Sequence, residues 1–234
     1  MEPMGAPKKP GIMAKLRNRK GFSLIEMAIV LVIIGIIIAA IVKGQDLFVN
    51  ARTKQLVAAS NNWKASAYGY MDRNGVLPGD TGNKNGIIGD DSTVEQLATG
   101  TAIDQLEGTM SSLPTNPVIV GGMSFYFFFG NAVNDLGTGH VSVIAICKDS
   151  VCAGKFTSDE AALINAADTA LDGAADGGTG SFRASVIPNI STLALTTNGR
   201  INGYATSAVV KSTKASPFVA GTDFAAIWAF DRSF

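Results

Sequence analysis

Lys20-Gly21-Phe22-Ser23-Leu24-Ile25-Glu26, followed by the apolar run Met27–Val42, is the stretch on which the fold turns. Phe22–Val42 is 21 residues long and carries one charge, Glu26. As an α-helix rising about 1.5 Å per residue it would measure about 31 Å, matching a bilayer hydrocarbon core of about 30 Å. A carboxylate within a spanning segment costs several kcal/mol unless it is paired, so Glu26 is a functional candidate. The residues before it are basic: Lys8, Lys9, Lys15, Arg17, Arg19 and Lys20. That excess predicts a cytoplasmic N-terminus.

Three readings compete for this stretch. A cleaved secretory signal would be cut near Ala39-Ala40, and a plain signal anchor would be kept whole. Neither needs a glycine just before the apolar run or a glutamate just inside it. Gly21-Phe22-Ser23-Leu24-Ile25-Glu26 resembles the type III signal sequence of type IV prepilins and type II secretion pseudopilins. The resemblance is carried by Lys20–Gln45, extends to about Met71, and is weak beyond. It implies that a prepilin peptidase cuts after Gly21 and methylates the new N-terminus at Phe22. It also implies that the Phe22 amine meets Glu26 of a neighbouring subunit as the chain polymerises. A lone carboxylate in an apolar helix bundle is neutralised or expelled, whereas a paired one is tolerated and fixes register.

Removal of residues 1–21 changes the charge. The whole chain is neutral, with 19 basic and 19 acidic residues, but that leader holds six of the former and one of the latter. The processed chain keeps 13 against 18, a net charge of −5, which predicts no strong binding of nucleic acid. The two cysteines, Cys147 and Cys152, lie five apart. A chain exported behind an anchor meets an oxidising compartment, so a short-loop disulfide is expected. With a single histidine, His140, no zinc site is expected.

Along the chain, residues 22–71 predict one long helix: apolar all round to Val42, then amphipathic, with Val49, Leu56, Ala59, Trp63, Ala67 and Tyr70 on one stripe. Many pilins carry a proline near the position of Lys43; this chain has only Gly35 and Gly44 to loosen the helix there. Residues 72–91 are rich in turn signals. Asp80, Asn83, Asn85 and Asp90 offer oxygens that a calcium ion could use, but the spacing is not that of an EF-hand and a solvated loop is the principal reading. Ser92–Glu95 and Thr157–Glu160 have capping-box spacing, the second opening a helix to about Leu171. Strands are expected at Gly121–Gly130, His140–Cys147, Arg183–Ile187, Tyr204–Val210 and Asp223–Phe230, four to six in all and mostly antiparallel, with the aromatic run Phe125–Phe129 inside the core. Asp168, Asp172 and Asp176 are expected at the surface.

There is no G-x-S-x-G, no P-loop and no catalytic triad, so no enzymatic activity of the chain's own is expected. The expected architecture is α+β: leader 1–21, spine helix 22–71 with 22–42 across the membrane, and a globular head 72–234 built on an antiparallel sheet. The resemblance implies a subunit held in the inner membrane and polymerised into a surface filament or periplasmic pseudopilus. Its partners would be further copies of itself, a prepilin peptidase and methyltransferase, and an assembly machinery with its ATPase. A minor pilin or pseudopilin is the near alternative. A membrane-anchored periplasmic binding module is the alternative of another class.

Overall fold

This computed structural model describes residues 21–80, 84–88, 102–133, 140–150, 152–175, 177–178, 180–185, 194–196, 200–202 and 217–231. The chain divides into two compact units, Met1–Gln45 and Asp46–Phe234. Helix α1 (Leu24–Asn74) begins in the first and ends in the second. Then follow α2 (Ala102–Thr109), β1 (Val118–Val120), β2 (Met123–Val133), β3 (His140–Cys147), α3 (Ser158–Asp172), β4 (Phe182–Ser185), β5 (Ala194–Thr196), β6 (Arg200–Asn202) and β7 (Ala225–Ala229).

In the first unit every described side chain of α1 is exposed, and only Gly44 is half-buried. A helix apolar on all sides with no protein over it suits lipid or other helices, not water. It is the one helix among the described residues long and apolar enough to cross a membrane. The helix runs unbroken through Gly35 and Gly44.

In the second unit α1 becomes amphipathic and lays its stripe on a sheet. The buried positions are Thr53, Leu56, Ala59, Ser60, Trp63, Ser66, Ala67 and Tyr70, at the three-and-four spacing of a single face. The hydroxyls of Thr53, Ser60 and Ser66 donate to the carbonyls of Val49, Leu56 and Asn62, so these polar groups are buried with a partner. The stripe starts at Thr53 and not, as the periodicity suggests, at Val49, which is 47% exposed. The reason is the reach of the sheet. Arg52 lies directly against Gly121 in the β1–β2 turn, so closely that a methyl there would strike it, and one turn earlier only a small cleft faces Val49.

The sheet has five antiparallel strands in the order β1-β2-β3-β7-β4, and β5 pairs with β6 in a separate hairpin. Alternation along the strands sorts side chains to two faces. Phe125, Phe127 and Phe129 join Ile144, Ile146, Trp228 and the helix stripe in the main core. Phe128, Val143, Ala145, Cys147 and Ile227 form a second buried cluster. The aromatic run is therefore core, as read from the sequence, but divided between both faces of β2. Trp63 sits at the centre of the main core, stacked on Phe127 at 6.4 Å and edge-on to Phe129 at 6.0 Å.

Several boundaries differ from expectation. The strand predicted over Gly121–Gly130 is two elements. Gly121 and Gly122, with φ of 58° and 86°, form a two-residue turn that pairs β1 with β2, and β2 then runs on to Val133. Asn116 extends the pairing with its side chain: its amide donates to the Phe127 carbonyl at 2.7 Å and accepts the Phe127 N–H at 3.0 Å. Seven strands occur among the described residues, above the four to six expected. Asp168, expected at the surface, is fully buried on the inner face of α3 with Ile164 and Ala167. Asp172 is exposed and accepts the Phe182 N–H at 3.1 Å. Asp176, Ser92–Glu95 and Tyr204–Val210 lie outside the described residues.

Candidate functional site

The candidate site of the first unit is the start of α1. Gly21 and Phe22 precede the helix, and Phe22 is 74% exposed. The Ser23 hydroxyl accepts the Ile25 N–H at 3.3 Å, and the Ser23 N–H donates to the Glu26 carboxylate at 3.4 Å. Ser23 and Glu26 thus act as a capping pair, a spacing present in the sequence but read there only for its charge. The position suits a carboxylate, because the first turn of a helix presents unsatisfied N–H groups and the positive end of its dipole. The same field repels an amine. An amine created on Phe22 by a cut after Gly21 would therefore gain from a carboxylate, and Glu26 is the only one within Phe22–Val42.

Beyond Glu26 the helix offers chemistry of one kind. Ile29, Leu31, Ile33, Ile36, Ile38 and Ile41 are each more than half exposed. Such a surface associates with lipid tails or with copies of itself.

In the second unit the structure gives local structural work to the oxygens considered for calcium. Asp80 is buried, and its carboxylate accepts the N–H groups of Asn85 at 3.1 Å and Gly86 at 2.8 Å. Asn85 accepts the Ile87 N–H at 2.9 Å. The loop so formed inserts Ile88 into the core, where the Ser142 hydroxyl takes its N–H and the Asn131 amide donates to its carbonyl. Asn83 and Asp90 lie outside the described residues. Among the described residues no group of three or more His, Cys, Asp or Glu is placed to hold a metal. A cleft of about 380 Å³ opens beside this loop, with Tyr68, Met71, Lys84 and Asp231 among its walls.

Cys147 and Cys152 are joined in a disulfide, with Cα atoms 5.2 Å apart and both residues fully buried. The loop between them is tied to α3. Lys148 reaches Glu160 at 3.6 Å, and Glu160 also closes the capping box on Thr157. The Asp149 carboxylate accepts the N–H groups of Ala153 and Gly154. A second amide clamp holds the returning chain: Asn165 of α3 bonds both the N–H and the carbonyl of Phe218.

Titration is perturbed at three described groups. Burial pushes the Tyr68 phenol up, helped by the Asp231 charge, and the hydroxyl donates to the Phe230 carbonyl at 3.0 Å. Burial alone raises Tyr70. Burial raises the Asp223 carboxyl, partly offset by the Val219 N–H that it accepts. Each of the three has a place in packing or in a turn.

No curated protein and no solved structure matches the chain. Residues 16–42 match the family model of the prokaryotic N-terminal methylation motif, which implies processing by a prepilin peptidase. That motif is characteristic of type IV pilins and pseudopilins, and the long N-terminal helix packed on an antiparallel sheet is a pilin-like α+β architecture.

Proposed function

We propose that this chain is the structural subunit of a type IV pilus-like filament. It is inserted in the inner membrane through Phe22–Val42, cut after Gly21, methylated on Phe22, and polymerised through its apolar helix into a filament. The chain itself does no chemistry. The observation that carries this reading is the uncovered apolar surface of α1 within the methylation motif, with one carboxylate in its first turn. Lipid satisfies that surface before assembly, and neighbouring helices satisfy it afterwards. Glu26 sets the register by meeting the Phe22 amine of an adjacent subunit.

The test replaces Glu26 in the full-length chain. Breaking a pair buried in an apolar bundle costs about 3–5 kcal/mol, because the stranded charge keeps its desolvation penalty. Glu26→Gln and Glu26→Ala should therefore leave membrane insertion and cleavage intact and abolish or sharply reduce filaments. Filament numbers equal to the parent's with both variants would refute the register role.

A further inference from the structure

The bond to be cut lies at the foot of α1, and one residue sets where that helix begins. The Ser23 carbonyl accepts the first intrahelical bond, from the Met27 N–H at 3.2 Å, which makes Ser23 the N-cap. Its hydroxyl accepts the Ile25 N–H, and its own N–H donates to the Glu26 carboxylate. Gly21, Phe22 and Ser23 are non-helical and exposed. The Gly21–Phe22 bond therefore ends one residue short of the cap, and the matched motif, residues 16–42, spans both.

The cap is needed because Phe22 itself offers no stop. It is apolar like the run that follows, and a helix once nucleated adds residues readily. Alanine is among the poorest N-caps and the best helix former. With Ser23→Ala the nearest acceptable cap upstream is Gly21, since glycine serves at that position. Capping there would make Phe22 the first helical residue and would turn the Glu26 N–H onto the Phe22 carbonyl. Peptidases cut exposed segments outside regular structure, and a bond drawn into a helix is reached only by local unfolding.

We propose that Ser23 is a positioning residue for processing. By capping α1 one residue beyond the Gly21–Phe22 bond, it presents that bond to the prepilin peptidase as an exposed, non-helical segment. The cut after Gly21 rests on the filament reading. The role of Ser23 goes beyond it, since neither the cut nor the pairing of Glu26 with an amine calls for a hydroxyl here.

The experiment uses the full-length precursor in detergent micelles, mixed with membranes that contain the peptidase. Initial rates of leader release are measured against precursor concentration for the parent, Ser23→Ala, Ser23→Thr and Ser23→Asn. A precursor whose bond lies inside the helix does not bind, so a cap moved to Gly21 lowers the competent fraction; KM rises and kcat is unchanged. Ser23→Ala should raise KM about two- to fivefold, whereas Ser23→Thr and Ser23→Asn keep a capping oxygen and should stay within about twofold of the parent. In the same micelles the Glu26 amide should exchange its hydrogen more slowly in Ser23→Ala than in the parent, because it gains the Phe22 carbonyl. Equal KM for the parent and Ser23→Ala would overturn the inference and leave the cut standing. A loss confined to kcat, or a loss with Ser23→Asn as large as with Ser23→Ala, would overturn it in favour of direct contact between the peptidase and the Ser23 hydroxyl. Unchanged exchange at Glu26 would overturn the shift of the cap on which it depends. A parent precursor not cut after Gly21 would overturn both this inference and the processing step of the filament reading.

Discussion

Truncating Trp63 to alanine should cost the second unit about 3–5 kcal/mol, the usual loss for removing a large aromatic side chain from a core that only partly collapses. Trp63 is 2% exposed, anchors α1 to β2, and contacts two rings, Phe127 and Phe129. Such ring pairs add about 0.5–1.5 kcal/mol beyond burial. Its indole N–H has no hydrogen-bond partner among the described residues, which offsets part of the gain from burying the ring. An unsatisfied buried donor costs about 1–3 kcal/mol. Trp63→Phe removes that donor while keeping one ring in the stack. The two effects oppose each other, and the net change should stay within about 1.5 kcal/mol. Urea unfolding of residues 46–234, followed by far-ultraviolet circular dichroism, measures both. The predicted order is parent close to Trp63→Phe, with Trp63→Ala far below. A loss under about 1 kcal/mol for Trp63→Ala would show that the helix is not held to the sheet through this residue, and the reasoning would fail.

Other perturbations give graded outcomes. Replacing Cys147 and Cys152 with alanine should cost about 2 kcal/mol in the chain-entropy account, since so short a loop restricts the unfolded chain little; unchanged unfolding midpoints would contradict it. Burial raises the Asp223 carboxyl above its reference value of 3.8. Its contribution is therefore fully present below that value and is lost as pH rises through the raised one. Asp223→Asn keeps an acceptor for the Val219 N–H without the charge, so its stability relative to the parent should increase as pH rises above about 4; a pH-independent difference would refute the assignment. Thr157→Ala removes the cap of α3 and should cost about 1 kcal/mol, read in the same unfolding curves, with no loss counting against the capping-box geometry. With a processed net charge of −5, the unit should bind DNA weakly and in a salt-sensitive way, and micromolar affinity at physiological salt would contradict that.

Long-period features were legible because they are strong and local. The apolar run, the amphipathic switch near Lys43-Gly44 and the Thr157–Glu160 box each depend on neighbouring residues, and the structure has a helix in each place. The His140–Cys147 strand has the expected bounds because β-branched residues fill it and its pairing partners lie on either side. Short elements were harder. β1 is three residues long, and the Gly121-Gly122 turn beside it falls at the start of the strand that the sequence predicts over Gly121–Gly130. Two glycines between apolar runs were the available signal for a tight hairpin. The depth of Asp168 was not legible because α3 is half small residues, and only the packed partner decides which of its faces is covered. The cleft below Val49 depends on where the sheet stops, which no helical period reports.

The most direct measurement of the central claim is the mass of the N-terminal peptide of the mature protein, isolated from membranes and from sheared cell surfaces. Cleavage at Gly21 and methylation predict a peptide that begins at Phe22 and carries one additional methyl group on its amine. A mature protein beginning at Met1, or one beginning near Ile41 as an ordinary secretory cut would leave it, would contradict the account.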